Sequence, residues 1–217
     1  MHKNRFYIIN SPRKQLTEEP AGYGFRRPLR YLSLFSGAMG LDLGLEAAGF
    51  TPVLSLDSDA WACATIQANR PGLPVIKGDI RDWDGAKLCQ HAGIAPGDLV
   101  CVVGGPPCPS FSTAGRRQSF NDLRGEVMFD FLRIIDELRP PFFVMENVRG
   151  ILSAAIKHRP LEQRTNGHSP LSNEERQGSV LSSLRQRFAA MGYTVTVELV
   201  NSANYGVPQP FTCASFG

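Results

Sequence analysis

Short apolar runs that alternate with helical patterns are the feature that most limits the fold of this chain. Several runs are apolar at every position, as expected for strands buried on both faces of a sheet. Helical spacing follows four of the six runs, and this alternation predicts an α/β fold with a mostly parallel sheet. The predicted strands are YLSLF at 31–35, PVLSLD at 52–57, LPVIKGD at 73–79, DLVCVVGG at 98–105, PFFVMEN at 141–147 and YTVTVELV at 193–200. The predicted helices are LDLGLEAAG at 41–49, DAWACATIQAN at 59–69, RGEVMFDFLRIIDEL at 124–138 and a segment near 174–191.

Composition limits the class of protein further. The 217 residues, 42% hydrophobic and 20% charged, suit one well-cored domain. No apolar run approaches the roughly 18 residues that a membrane span needs, and the first thirty residues mix charges into every window. We therefore expect a cytoplasmic protein without a membrane segment. The five cysteines form no CxxC pair, which predicts neither a disulfide framework nor a metal site.

The first 29 residues contain six basic side chains and three prolines without a sustained apolar period. They predict a loosely ordered basic extension, which is either an arm that contacts DNA or a solvated tail. The net charge of +3 suits a polyanionic partner but is common in proteins that never bind nucleic acid.

One end of the predicted sheet indicates a cofactor site. The turn FSGAMG places Gly37 and Gly40 between the first strand and the first helix, where a ligand can approach the backbone. Asp57 ends the second strand twenty residues after Gly37, the offset at which an acid meets ribose hydroxyls in dinucleotide folds. Together these features indicate an adenosine-containing cofactor. Asp79 follows the third strand and is either an acceptor for the adenine amino group or a helix cap.

The segment VVGGPPCPSFS indicates a reactive site. Two glycines and three prolines make a stiff loop around Cys108 at the end of a buried strand, the edge where parallel sheets bind ligands. Cys63 and Cys101 lie within apolar patterns and are predicted to be core residues. Glu146 and Asn147 end the next strand at the same edge. A carboxylate there is costly to desolvate without a partner, although a cap or an ion pair also explains Glu146.

These segments, taken in order, resemble the motifs of cytosine-5 DNA methyltransferases. The resemblance covers residues 31 to 209 and is specific, since a PPC loop followed by ENV at this separation is not shared with other methyltransferases. It rests on FSGAMGLDLGLEAAGF, LDSDAWACATIQANRP, GDI, GGPPCPSFSTAGRR, RGEVMFDFLRII, FFVMENVRGIL and NSANYGVPQ. It implies a Rossmann-like S-adenosylmethionine-dependent methyltransferase fold, with residues 30–209 as the cofactor-binding and catalytic domain.

The resemblance also implies roles for individual residues. Cys108 would be the nucleophile and Glu146 the residue that contacts the pyrimidine ring. The loop STAGRRQSFNDLRG resembles the mobile loop that closes over the substrate, although such a basic loop is otherwise simply solvated. The implied S-adenosylmethionine pocket comprises Phe35, Gly37, Gly40, Asp57, Ser58, Asp79, Ile80, Pro107 and Val127. The implied substrate contacts are Ser112, Arg116, Arg117 and Asn147.

The implied chemistry explains these residue types. Carbon 5 of cytosine is too weak a nucleophile to take a methyl group directly, so a thiolate first adds to carbon 6. Protonated Glu146 would support that addition by donating to ring N3, which requires burial to raise its pKa. Carbon 6 is unreachable inside a duplex, so the expected partner is double-stranded DNA with the target cytosine flipped out.

The match fails at Pro210, where the family continues with an arginine-rich stretch and a seventh strand. This chain instead reads PFTCASFG, so residues 210–217 are interpreted as a divergent end without the last strand or the recognition domain. Two smaller departures are Met39, where glycine is common, and Pro109, where glutamine is common. The sequence leaves open a truncated DNA methyltransferase, a subunit of a split enzyme with a recognition partner, an RNA methyltransferase and a non-catalytic binding module.

Overall fold

The computed structural model describes residues 28–107, 123–157, 159–164, 169–205 and 212–217. These residues form seven strands and five α-helices. The strands are β1 (Leu29–Leu34), β2 (Phe50–Asp57), β3 (Val75–Lys77), β4 (Leu99–Gly104), β5 (Phe142–Val148), β6 (Val197–Asn201) and β7 (Thr212–Phe216). The helices are α1 (Gly40–Ala47), α2 (Ala60–Asn69), α3 (Gly85–Ala92), α4 (Leu123–Leu138) and α5 (Ser179–Ala190).

All seven strands form one sheet in the order β3-β2-β1-β4-β5-β7-β6. The first five strands in this order pair in parallel, and β7 runs antiparallel to both of its neighbours. The central strands β1 and β4 are buried along most of their length, as their uniformly apolar sequences predict. The predicted α/β fold with a mostly parallel sheet is therefore confirmed.

The prediction that the last strand is missing is wrong. Residues Thr212–Phe216 form β7, which lies between β5 and β6 and separates them. Ala214 and Phe216 are completely buried and alternate with half-buried side chains. Pairing needs only backbone groups and an apolar residue at every second position, so TCASF forms this strand without the arginines of the family pattern.

Other elements also differ from the sequence prediction. Helix α3 was not predicted, although the Asp84 side chain caps its first turn and left-handed Gly93 ends it. The last predicted helix begins at Ser179 rather than near residue 174, because Gly178 precedes it with a φ of 79°. The strand predicted at 193–200 begins only at Val197.

The main core lies between the sheet and helices α3, α4 and α5, and a smaller cluster lies against α1. Cys63 and Cys101 are both buried, which confirms their assignment to the core. In the part of the chain that the structure describes, no helix is long and apolar enough to cross a membrane. No group of three or more potential metal ligands occurs among these same residues.

Candidate active site

The carboxyl ends of the parallel strands bring the predicted site residues to one edge of the sheet. The turn at 35–40 follows β1, Asp57 ends β2, Gly105 follows β4 and Glu146 lies near the end of β5. Ligands bind at this edge in open parallel sheets, where the strand order reverses. Here the order reverses between β1 and β4, which lie side by side at the centre.

Asp57 and the glycine turn are joined directly. The backbone N–H of Gly37 donates to Asp57 Oδ2 at 2.7 Å, and the N–H of Asp59 donates to Oδ1 at 2.8 Å. The hydroxyl of Ser36 donates to the carbonyl of Leu56 at 3.0 Å. These contacts fix the carboxylate of Asp57 against the turn from which α1 begins.

The turn uses left-handed backbone at three positions. Phe35, Gly37 and Met39 have φ values of 53°, 51° and 64°. Glycine adopts this conformation without penalty, whereas Met39 carries a strain of about 1–2 kcal/mol at a position where the family commonly has glycine. A Cβ added at Gly37 or Gly40 would meet no atom within 4 Å. There is therefore open space beside both glycines, next to a fixed carboxylate, and the predicted contacts of these residues with a cofactor stay a prediction.

Asp79, another predicted cofactor residue, has structural partners of its own. The Asp79 carboxylate caps the short turn Ile80–Asp82 and pairs with the Arg81 guanidinium, which lowers the pKa of Asp79 to about 2. The helix-cap alternative for Asp79 is therefore realised, and its contact with adenine stays a prediction. Ile80 is buried, Val127 is half-buried on α4, and Ser58 and Pro107 are exposed.

Close backbone packing fixes the loop segment that precedes Cys108. A Cβ on Gly104 would lie 2.3 Å from the carbonyl oxygen of Leu34 and 2.9 Å from the ring of Phe131, so only glycine fits at the end of β4. Asn147, which is 3% exposed, donates from Nδ2 to the carbonyl of Pro106 at 3.0 Å. Asn147 thereby holds the loop to β5, and its predicted contact with the substrate stays a prediction.

The carboxyl of Glu146 lies beside this loop. Its Oε2 is 3.2 Å from where a Cβ on Gly105 would be, so the missing side chain leaves it room. Its Oε1 is buried and has no hydrogen-bond partner among the described residues. Burial raises the pKa of Glu146, and the thiol of Cys213 opposes part of that rise. The predicted effect of burial on the Glu146 pKa is therefore confirmed.

Cys213 is the site residue that sequence reasoning missed. It lies in β7, the strand interpreted as a divergent end, so no local signal connected it with Glu146. The predicted residues Cys108, Ser112, Arg116 and Arg117 lie outside the residues that the structure describes.

The raised pKa of Glu146 predicts a stability that depends on pH. Stability linked to its proton is fully present below the unfolded-state pKa, about 4.3, and is lost as the pH rises through the higher folded-state value. Glu146→Gln has no proton to lose, so its stability relative to wild type should increase between about pH 4 and about pH 8. Urea unfolding at both pH values measures the difference. Glu198→Gln, at an exposed position, is the control. If the free energy of unfolding of Glu146→Gln relative to wild type were the same at both pH values, the raised pKa of Glu146 would be contradicted.

Comparisons with known proteins identify the family. The model of the C-5 cytosine-specific DNA methylase family matches residues 29–210, so the chain belongs to that family. It is 36% identical over 181 residues to type II methyltransferase M.AquIA of Picosynechococcus, covering 83% of this chain and 67% of the relative. It is also 36% identical over 182 residues to M.NgoPII of Neisseria gonorrhoeae, covering 84% of this chain and 45% of the relative.

Solved structures give the same fold. A candidate DNA modification methyltransferase encoded within an E. coli prophage aligns with a TM-score of 0.64 and 26% identity, over 87% of this chain and 45% of that one. The S. pombe Dnmt2 methyltransferase aligns with a TM-score of 0.60 and 18% identity, over 87% of this chain and 50% of that one, which supports the fold alone. The chain thus spans between about half and two thirds of the length of these proteins.

Proposed function

We propose that this chain is the cofactor-binding and catalytic part of a DNA cytosine-5 methyltransferase. The observation that carries the proposal is the Glu146 carboxyl, whose pKa is raised by burial and which lies beside the loop that leads into Cys108. The named relatives are type II methyltransferases, which supports DNA as the substrate and a role in restriction-modification. The activity would then belong in the cytoplasm with the DNA.

Each residue has a defined task in this proposal. The Cys108 thiolate forms a bond to carbon 6 of a flipped-out cytosine, while protonated Glu146 donates its proton to ring N3. That addition moves electron density to carbon 5. Asp57 and the open side of the glycine turn would hold S-adenosylmethionine, which would supply an electrophilic methyl group for carbon 5 and leave as the neutral thioether. Transfer of the carbon 5 proton to water and return of the N3 proton to Glu146 then allow the carbon–sulfur bond to break, which releases the Cys108 thiolate.

The chain spans only 67% and 45% of the length of its two named relatives, and we propose that DNA selection uses additional protein. A complementary recognition subunit and a recognition region fused to this chain are the two arrangements to compare. Methyl transfer to RNA and binding without turnover are outcomes that the test must separate from the proposal.

The test supplies the chain with the recognition region of a relative, either fused or as a separate protein. Methyl-labelled S-adenosylmethionine and duplex DNA should then give labelled 5-methylcytosine after digestion to nucleosides. Transfer RNA offered in place of DNA is the matched substrate control. Label in transfer RNA alone would replace the proposal with RNA methylation, and cofactor binding without labelled product from either would assign the chain to a binding module.

A further inference from the structure

The carboxyl of Glu146 and the thiol of Cys213 lie on the same face of neighbouring strands. In the antiparallel pairing of β5 with β7, Glu146 is opposite Ser215 and Val148 is opposite Cys213. Side chains two residues apart on a strand share a face, so Cys213 is the diagonal neighbour of Glu146. Diagonal neighbours are within reach of a long side chain such as glutamate.

Few groups among the described residues can influence Glu146. On one side its neighbour is Gly105, which follows β4 and has no side chain, and on the other side Ser215 lies opposite it in β7. Buried Oε1 has no partner with ordinary hydrogen-bond geometry. Burial and the Cys213 thiol are the causes that act on its pKa, and no charged side chain of the described residues is among them.

The thiol itself is suited to act as a donor. Burial raises the pKa of Cys213, and the neighbouring Glu146 carboxyl raises it further. Cys213 therefore keeps its proton at neutral pH, and a protonated thiol is a weak, uncharged hydrogen-bond donor.

We propose that Cys213 is a positioning residue for Glu146: its thiol lies against the carboxyl as a weak donor, outside ordinary hydrogen-bond geometry, and orients the carboxyl for protonation and for contact with the cytosine ring. The catalytic significance of this contact rests on the proposed function. The contact itself does not, because it joins two residues of the folded chain. A weak donor aligns the carboxyl and leaves most of the rise in the Glu146 pKa that burial causes.

The proposal predicts an order among variants of Cys213. Alanine removes the donor, so the pKa of Glu146 should rise above the wild-type value. Serine is a stronger donor to a carboxylate, so the pKa of Glu146 should fall below it. The expected order of Glu146 pKa values is therefore Cys213→Ala, then wild type, then Cys213→Ser.

The measurement is a pH titration of side-chain carboxyl carbons by NMR on the full chain labelled with ¹³C-glutamate. Loss of one resonance in Glu146→Gln assigns the Glu146 signal. Cys89→Ala, which removes a different buried thiol in α3, is the matched control and should leave the Glu146 titration unchanged. Equal Glu146 titrations in wild type, Cys213→Ala and Cys213→Ser would overturn the proposal. If Cys213→Ala does not fold, the difference between wild type and Cys213→Ser decides the question.

A second measurement separates this proposal from the proposed function. In the protein rebuilt with a recognition region, the pH at which kcat is half-maximal on its alkaline side should follow the same order among the Cys213 variants. Shifted NMR titrations with no methyl transfer would support the contact and reject the function. Methyl transfer with unshifted titrations would support the function and reject the contact.

Discussion

Replacing Cys108 with serine should abolish covalent trapping of DNA that contains 5-fluorocytosine. Fluorine at carbon 5 cannot leave as a cation, so an enzyme that uses covalent addition stalls with its sulfur still bonded to carbon 6. A serine hydroxyl is far less acidic than a thiol and is a poorer nucleophile at neutral pH. The rebuilt wild-type protein should give a DNA adduct that survives denaturing electrophoresis, and Cys108→Ser should give none.

Cys101→Ser is the matched control for this experiment. Cys101 is 2% exposed in β4, and burial raises the pKa of its thiol to about 12, so it is chemically inert at neutral pH. Its serine variant should keep trapping intact and lose about 1–3 kcal/mol of stability through the buried hydroxyl. An adduct that persists in Cys108→Ser, or cytosine methylation without any wild-type adduct, would refute the covalent mechanism.

Asp57→Ala should weaken the binding of S-adenosylmethionine by about tenfold to a hundredfold, the effect of losing hydrogen bonds to a charged group. The change removes an acceptor at the cofactor site and also releases the Gly37 N–H that Asp57 holds at 2.7 Å. Isothermal titration calorimetry of the chain with S-adenosylmethionine measures the affinity. Asp57→Asn keeps an acceptor oxygen, so its affinity for S-adenosylmethionine should lie between those of wild type and Asp57→Ala.

Asp59→Ala, which removes a neighbouring carboxylate, is the control. The Asp59 side chain accepts from the Ala62 N–H and caps α2, so its loss should lower helix stability by about 1 kcal/mol. It should change cofactor affinity little. Equal losses of affinity in the Asp57 and Asp59 variants would show that the effect is structural rather than a lost contact.

The fold could be predicted wherever one segment carries its own signal. The apolar runs of β1 and β4 need only local sequence to be recognised, because burial on both faces leaves no polar alternation. β7 could not be predicted, because TCASF is short and depends on the register it shares with β5 and β6. Helix α3 was missed because its eight residues hold few large apolar side chains, although buried Gly85, Leu88 and Cys89 have helical spacing and its caps were readable.

The site residues also fall into two groups, those that a local pattern predicts and those that depend on contacts between distant segments. The glycine turn, Asp57 and Glu146 could be placed because the carboxyl ends of parallel strands meet at one edge whatever the details of packing. The partner of Asp79 is two residues away, but a sequence alone does not decide between a cap and a ligand contact. Cys213 and the link from Asn147 to Pro106 depend on contacts between distant segments, which no local pattern reports.

The position of β7 between two strands that precede it has a consequence for how the protein is made. β5 and β6 leave the ribosome before the strand that joins them, and synthesis proceeds at only about 5–20 residues per second. Until residues 212–216 emerge, β5 exposes an unpaired edge of backbone donors and acceptors, which is a template for pairing with another chain. We therefore expect stalled translation before these codons to favour aggregation, and chaperones that shield nascent chains to raise the soluble yield.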